Sequence, residues 1–119
     1  MIKATNIHKS YKDLHALKGV DVNIAESEII SIVGASGAGK TTLLQILGTL
    51  DKPDFKSDTT LEINGQSITK LNDKALAKFR NKHIGFIFQF HQLLPEFTAF
   101  ENVCIPAFIN NTSKADAEK

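Results

Sequence analysis

The 119 residues carry 14 Lys and Arg against 13 Asp and Glu, for a formal charge of +1. Such a chain has room for one domain, and its apolar and charged shares sit near the average for packed soluble proteins, which excludes disordered and fibrous classes. The lysines are spread along the chain and Arg80 is the single arginine, so neither a basic footprint nor multiple bidentate base readout is present and nucleic acid is not an expected partner. Cys104 is the one cysteine, which rules out an internal disulfide and suits a reducing compartment, the cytoplasm. No stretch approaches the roughly 20 apolar residues of a membrane helix, and Met1 to Tyr11 has no apolar core of a secretory signal. Any membrane association is therefore expected to run through a partner.

In chain order, Ile2 to Ile7 reads as a strand, and Val20, Val22 and Ile24 alternate with Asp21 and Asn23 as a strand with one buried face. Glu28 to Val33 is a short continuous apolar run, as in a parallel strand buried on both sides, and it stops at Gly34. Leu43, Ile46, Leu47 and Leu50 recur at helical spacing and predict one buried stripe on a helix beginning near Gly39. Asp51 to Asp58, with Pro53, reads as loop, and Asn64-Gly65 as a hairpin turn after Leu61 to Ile63.

Asn72 or Asp73 caps a short helix carrying Ala75, Leu76 and Phe79, after which Ile84 to Phe88 returns to strand composition, with Gln89 at its end. Thr98 and Glu101 have capping-box spacing ahead of a helix whose buried face is expected to hold Phe100, Val103, Cys104 and Ala107, with Pro106 kinking it or ending it early. Asn110 to Thr112 reads as a turn. Ser113 and Asp116 repeat the capping-box spacing and start another helix.

The chemistry lies in Gly34-Ala35-Ser36-Gly37-Ala38-Gly39-Lys40-Thr41, which matches the P-loop pattern between an expected strand and an expected helix. Glycines let the backbone wrap a phosphate chain closely, and the helix start offers unpaired N–H groups and the positive end of its dipole. Lys40 brings a mobile full charge to the β and γ phosphates, Thr41 a hydroxyl to Mg²⁺, and Thr42 a donor to the α phosphate. The bland rival is a plain glycine-rich turn.

Tyr11, the P-loop and Ile84-Gly85-Phe86-Ile87-Phe88-Gln89, in that order, resemble the ABC transporter ATPases. Gln89 to Val103, reading Gln-Phe-His-Gln-Leu-Leu-Pro-Glu-Phe-Thr-Ala-Phe-Glu-Asn-Val, is similar to their lipoprotein-releasing and macrolide-exporter branch. The resemblance implies an α/β P-loop NTPase fold, here the N-terminal portion of a nucleotide-binding domain with an antiparallel β element and the start of a helical subdomain. It implies that residues 1–119 end ahead of the Leu-Ser-Gly-Gly-Gln signature, the Asp-Glu pair and the switch histidine.

It further implies binding of ATP with Mg²⁺ by Tyr11, Gly34, Ser36, Gly37, Ala38, Gly39, Lys40, Thr41 and Thr42. Tyr11 would stack on adenine. Lys40 and Gln89 would serve catalysis, and Thr41 and Gln89 the metal. Transmembrane subunits and a second nucleotide-binding subunit would be the partners, on the cytoplasmic face of the inner membrane. Read alone, Tyr11 fits a half-buried strand tyrosine and Gln89 an ordinary strand-end residue. His8, His15, His83 and His91 show no metal-ligand spacing. One departure from the family is the loop from Asp51 to Thr60, which lacks the usual glycine turn. Another P-loop NTPase, or a P-loop module that binds without hydrolysis, are the competing readings.

Overall fold

A computed structural model describes all 119 residues and divides into two compact units, 1–76 and 77–119. The first unit is built on an antiparallel sheet of four strands: β1 (Ile2–Tyr11), β2 (Leu14–Ile24), β3 (Thr60–Ile63) and β4 (Gln66–Ser67), in the order β2-β1-β3-β4. β1 and β2 form a hairpin that runs further toward its turn than the sequence suggests, closing at the Tyr11–Leu14 pair. Asn6 takes a left-handed conformation, and the ladder shifts register between Ala4 and Ile7. This bulge bends β1, so its first half pairs with β3 while His8 pairs with Asp54 of the following loop.

Asn64 and Gly65 both have positive φ, the paired left-handed geometry of a two-residue hairpin turn, as their sequence predicts. Helix α1 (Lys40–Leu47) packs on β1 and β2 through Leu43, Ile46 and Leu47, and with Ile7 and Leu61 these residues form the core. Leu50 departs from the expected stripe. The helix ends at Leu47, Thr49 turns left-handed, and its N–H returns to the Ile46 carbonyl while that of Leu50 returns to Gln45. This Schellman arrangement leaves Leu50 exposed.

Helix α2 (Asp73–His83) begins in the first unit, where Asn72 is the cap: its side-chain oxygen accepts from the Ala75 N–H at 2.8 Å. The second unit holds the rest of α2, α3 (Ala99–Ile109) and α4 (Lys114–Ala117). The capping box at Thr98 and Glu101 is formed on both sides, and Ser113 caps α4 by accepting from the Asp116 N–H. Pro106 does not end α3, which continues to Ile109. The Pro106 carbonyl accepts from the Asn110 N–H and from the Asn81 side-chain amide. Of the expected apolar face only Cys104 is fully buried, with its thiol 3.6 Å from the Ala117 carbonyl, while Phe100 and Val103 are exposed.

Two expected strands are not formed. Residues 28–33 and 84–88 form no ladder, and Ile29, Val33 and Ile87 are 96%, 86% and 102% exposed. A β-strand is stabilised by hydrogen bonds to a neighbour, and no segment of the chain pairs with either stretch. Apolar content alone does not make them strands.

Candidate functional site

The glycine-rich loop enters from the unpaired 28–33 stretch and leaves into α1. Its turn is closed by the Ala38 N–H donating to the Ala35 carbonyl at 3.2 Å. Gly39 is the N-cap of α1 with φ 89°, and it supplies no side-chain cap. A Cβ built there would stand 2.6 Å from the Ala16 carbonyl oxygen of β2, so glycine is required both by conformation and by this close approach. Gly37 has φ 77° with open space around it, so only its conformation asks for glycine.

An uncapped helix start leaves its first N–H groups without intrahelical partners, gathered where the loop curls back. Lys40 Nζ lies under the loop, donating to the Gly34 and Ala35 carbonyls at 2.7 and 2.6 Å. These bonds turn two carbonyl oxygens of the loop toward the ammonium. Thr41 is exposed on the first turn and its hydroxyl makes no protein hydrogen bond. An oxygen in that state fits a hard cation that brings phosphate oxygens and water as its remaining ligands, and Mg²⁺ is such a cation. Thr42, next on the helix, is half-buried.

Tyr11 lies in the same unit, at the end of β1, half exposed. Its hydroxyl donates to Asp51 Oδ2 at 2.8 Å. That hydrogen bond to a carboxylate, with burial and the Asp51 charge, raises the phenol above its ordinary value against opposing contributions from Thr42 and Lys9. Burial pushes the Asp51 carboxyl up, but hydrogen bonds from Lys9, Tyr11 and the Lys52 N–H outweigh it and hold the group below the ordinary carboxylate value. The sequence reading gives Asp51 no role beyond its loop. The available signal is Lys9, two residues before Tyr11 and therefore on the same face of the strand.

Among the residues expected at the site, Gly34, Ser36, Gly37, Ala38, Gly39, Lys40, Thr41 and Thr42 form one contiguous loop and helix start in the first unit. Gln89 belongs to the second unit, exposed and just past the unpaired 84–88 stretch. No group of three or more His, Cys, Asp or Glu side chains gathers around a common point.

Comparison with known proteins gives concordant matches. A family model described as ABC transporter matches residues 17–119. The lipoprotein-releasing system ATP-binding protein LolD of Bacteroides thetaiotaomicron is 58% identical over 119 residues, covering 100% of this chain and 53% of that protein. Its counterpart in Porphyromonas gingivalis is 58% identical over 117 residues, covering 98% of this chain and 52% of that protein. The chain thus spans about half the length of the curated relatives it matches. The solved dimeric post-hydrolysis state of the ATP-binding cassette MJ0796, bound to ADP and Pi, aligns with a TM-score of 0.87 at 39% identity, covering 99% of this chain and 53% of that one. The architecture is accordingly the P-loop NTPase fold of an ABC ATPase cassette, over about half of the length of that cassette.

Proposed function

The chain belongs to the ABC transporter family, and from that premise we propose that it is the nucleotide-binding part of a transport ATPase subunit acting in lipoprotein release or export. The observation that carries this reading is the loop from Gly34 to Thr41, with an uncapped helix start, a lysine beneath it and a free hydroxyl beside it. The LolD relatives supply the transport class.

In this reading the backbone N–H groups of Gly37, Gly39, Lys40, Thr41 and Thr42 hold the phosphates, with Ser36 and Ala38 completing the wrap and Gly34 opening it. Lys40 leaves its carbonyl partners for the β and γ phosphates, an exchange of hydrogen bonds to neutral oxygens for stronger ones to anionic oxygens. Thr41 is the first-unit side chain that would hold Mg²⁺, and the ion would supply neutralisation of the phosphate charge. Tyr11 carries the adenine. Several charge-assisted hydrogen bonds at about 1.5 to 3 kcal/mol each are sufficient for micromolar affinity, about 8 kcal/mol.

Hydrolysis asks for more than binding. A positioned general base must also take the proton of the attacking water, and losing that assistance slows the step by roughly 10² to 10⁴. Membrane subunits and a second nucleotide-binding subunit are the proposed partners, on the cytoplasmic face of the inner membrane. The dimeric cassette structures support the second partner. Calorimetry with Mg²⁺-ATP on the parent and on Lys40→Ala tests the reading. Binding in the parent that weakens at least tenfold in the variant is expected, and equal affinity in both would refute the assignment.

A further inference from the structure

Tyr11 is held by more than its strand. The Asp51 carboxylate that accepts its hydroxyl also accepts Lys9 Nζ on Oδ1 at 2.9 Å and the Lys52 N–H at 2.7 Å. Lys9 donates in addition to the Lys52 carbonyl at 2.7 Å, and its Nζ stands 5.3 Å from the centroid of the Tyr11 ring. That distance is within cation–π range. Asp51 is anchored in turn, because its own N–H donates to the Gln45 carbonyl of α1 at 3.2 Å. A continuous set of bonds therefore runs from the helix that carries the P-loop, through Asp51, to the tyrosine hydroxyl.

The ordinary structural account is a loop pinned to a sheet by an ion pair. It explains Lys9 and Asp51, whose side chains are 14% and 30% exposed. It does not require an aromatic ring, since the ion pair would hold the loop with any residue at position 11. What the ring gains is a fixed attitude. Its hydroxyl is satisfied and a cation lies over it, yet 43% of the residue stays open to solvent near the strand end. A flat apolar surface held in this way suits a flat heteroaromatic partner, and a cation on the ring strengthens its pairing with an electron-rich one.

We propose that Asp51 and Lys9 are positioning residues that fix Tyr11 as the stacking plate for the base of the nucleotide whose phosphates the P-loop holds. This rests on the nucleotide-binding reading above. Neither residue touches the nucleotide. Both act by removing the rotational freedom that a tyrosine near a hairpin tip would otherwise lose on binding, and Asp51 sets the plate's place relative to α1.

The chain has one tyrosine and no tryptophan, so phenol absorbance and emission report on Tyr11 alone. The test compares Mg²⁺-ATP with Mg²⁺-tripolyphosphate, a probe with no base, by calorimetry on the parent, Asp51→Ala, Tyr11→Phe, Tyr11→Ala and Lys40→Ala. Asp51→Ala and Tyr11→Phe, which release the tether and keep a ring, are expected to weaken ATP binding roughly 3- to 10-fold and to leave tripolyphosphate unchanged. Tyr11→Ala weakens ATP further, and Lys40→Ala weakens both probes. In parallel, the phenol titrates above 10.0 in the parent and moves down toward it in Asp51→Ala.

Loss of ATP affinity in Tyr11→Ala alone, with Asp51→Ala and Tyr11→Phe like the parent, overturns the positioning role and leaves the nucleotide reading standing. Equal weakening of both probes in Asp51→Ala also overturns it, since Asp51 would then be acting on the loop and not on the base. If Lys40→Ala matches the parent with both probes, the nucleotide reading and this proposal fall together. Should Asp51→Ala not fold, Tyr11→Phe carries the same expectation and the same refutation.

Discussion

Leu61 to Ile63 and Ile29 to Val33 are built from the same kinds of side chain, yet the first is buried in a sheet and the second lies bare. Leu61 is paired with Ala4 of β1 and, like Ile7 and Ile46, is fully buried. Ile29 and Val33 have no ladder partner, and neither has Ile87 further along. Burial is decided by whether a neighbouring strand is at hand, and composition only makes a segment ready for one. The P-loop sits at the boundary between these conditions: its entry is the bare stretch, and its exit is the packed helix α1. The glycine-rich loop is therefore held from the helix side, by Gly39 against Ala16 and by the Schellman turn that leads to Asp51.

The sharpest way to break this comparison is to truncate on both sides of it. Ile46→Ala removes a fully buried side chain and is expected to cost about 2 to 5 kcal/mol, whereas Ile87→Ala is expected to stay within about 0.5 kcal/mol. Denaturant midpoints for the two variants decide the matter, and comparable losses would mean that 84–88 is packed. A chain with this much open apolar surface is also expected to associate in solution, and Ile87→Ser with Val33→Ser should reduce the associated fraction in light scattering.

A second comparison separates the two loop glycines. Gly39→Ala meets both a left-handed φ and the Ala16 carbonyl and is expected to cost about 2 to 3 kcal/mol, while Gly37→Ala meets only the conformation and should cost about 1 to 2 kcal/mol. Thermal unfolding of the two variants reads the order, and a larger loss for Gly37→Ala would contradict the anchoring of the loop through β2.

In the second unit, Thr98→Ala deletes one side of the capping box and should cost about 1 kcal/mol, seen as reduced helical signal by circular dichroism. The smallest expected effect is on pH. Hydrogen bonds from the Thr98 N–H and side chain hold the Glu101 carboxyl below its ordinary value. A folded value below the unfolded one means that this contribution is present above pH 4.5 and is lost as pH falls through the depressed folded value. Acid titration of the parent should show that loss, and Thr98→Ala should weaken the dependence; an unchanged acid limb in the variant would remove Glu101 from the account.

Much of this was legible in the residues themselves. Asn64-Gly65, the caps at Asn72, Thr98 and Ser113, and the α1 stripe through Leu47 are local signals, each satisfied by atoms a few residues away. The P-loop is local for the same reason. The strands expected at 28–33 and 84–88 do not form, because a ladder needs a neighbour that periodicity does not display. Phe100 and Val103 repeat the lesson on a helix, where spacing marks a face but not what covers it. Asp51 escaped sequence reasoning because its partners lie 42 and 40 positions away.

The central claim is that the first unit contains a phosphate site complete in its backbone donors. The most direct measurement follows backbone amide resonances of the 119-residue chain during titration with Mg²⁺-ADP. The account predicts the largest shifts at Gly37, Gly39, Lys40, Thr41 and Thr42, with Tyr11 responding through its ring, and their loss in Lys40→Ala. Shifts spread over other loops with residues 34–42 silent, or a response that survives in Lys40→Ala, would contradict it.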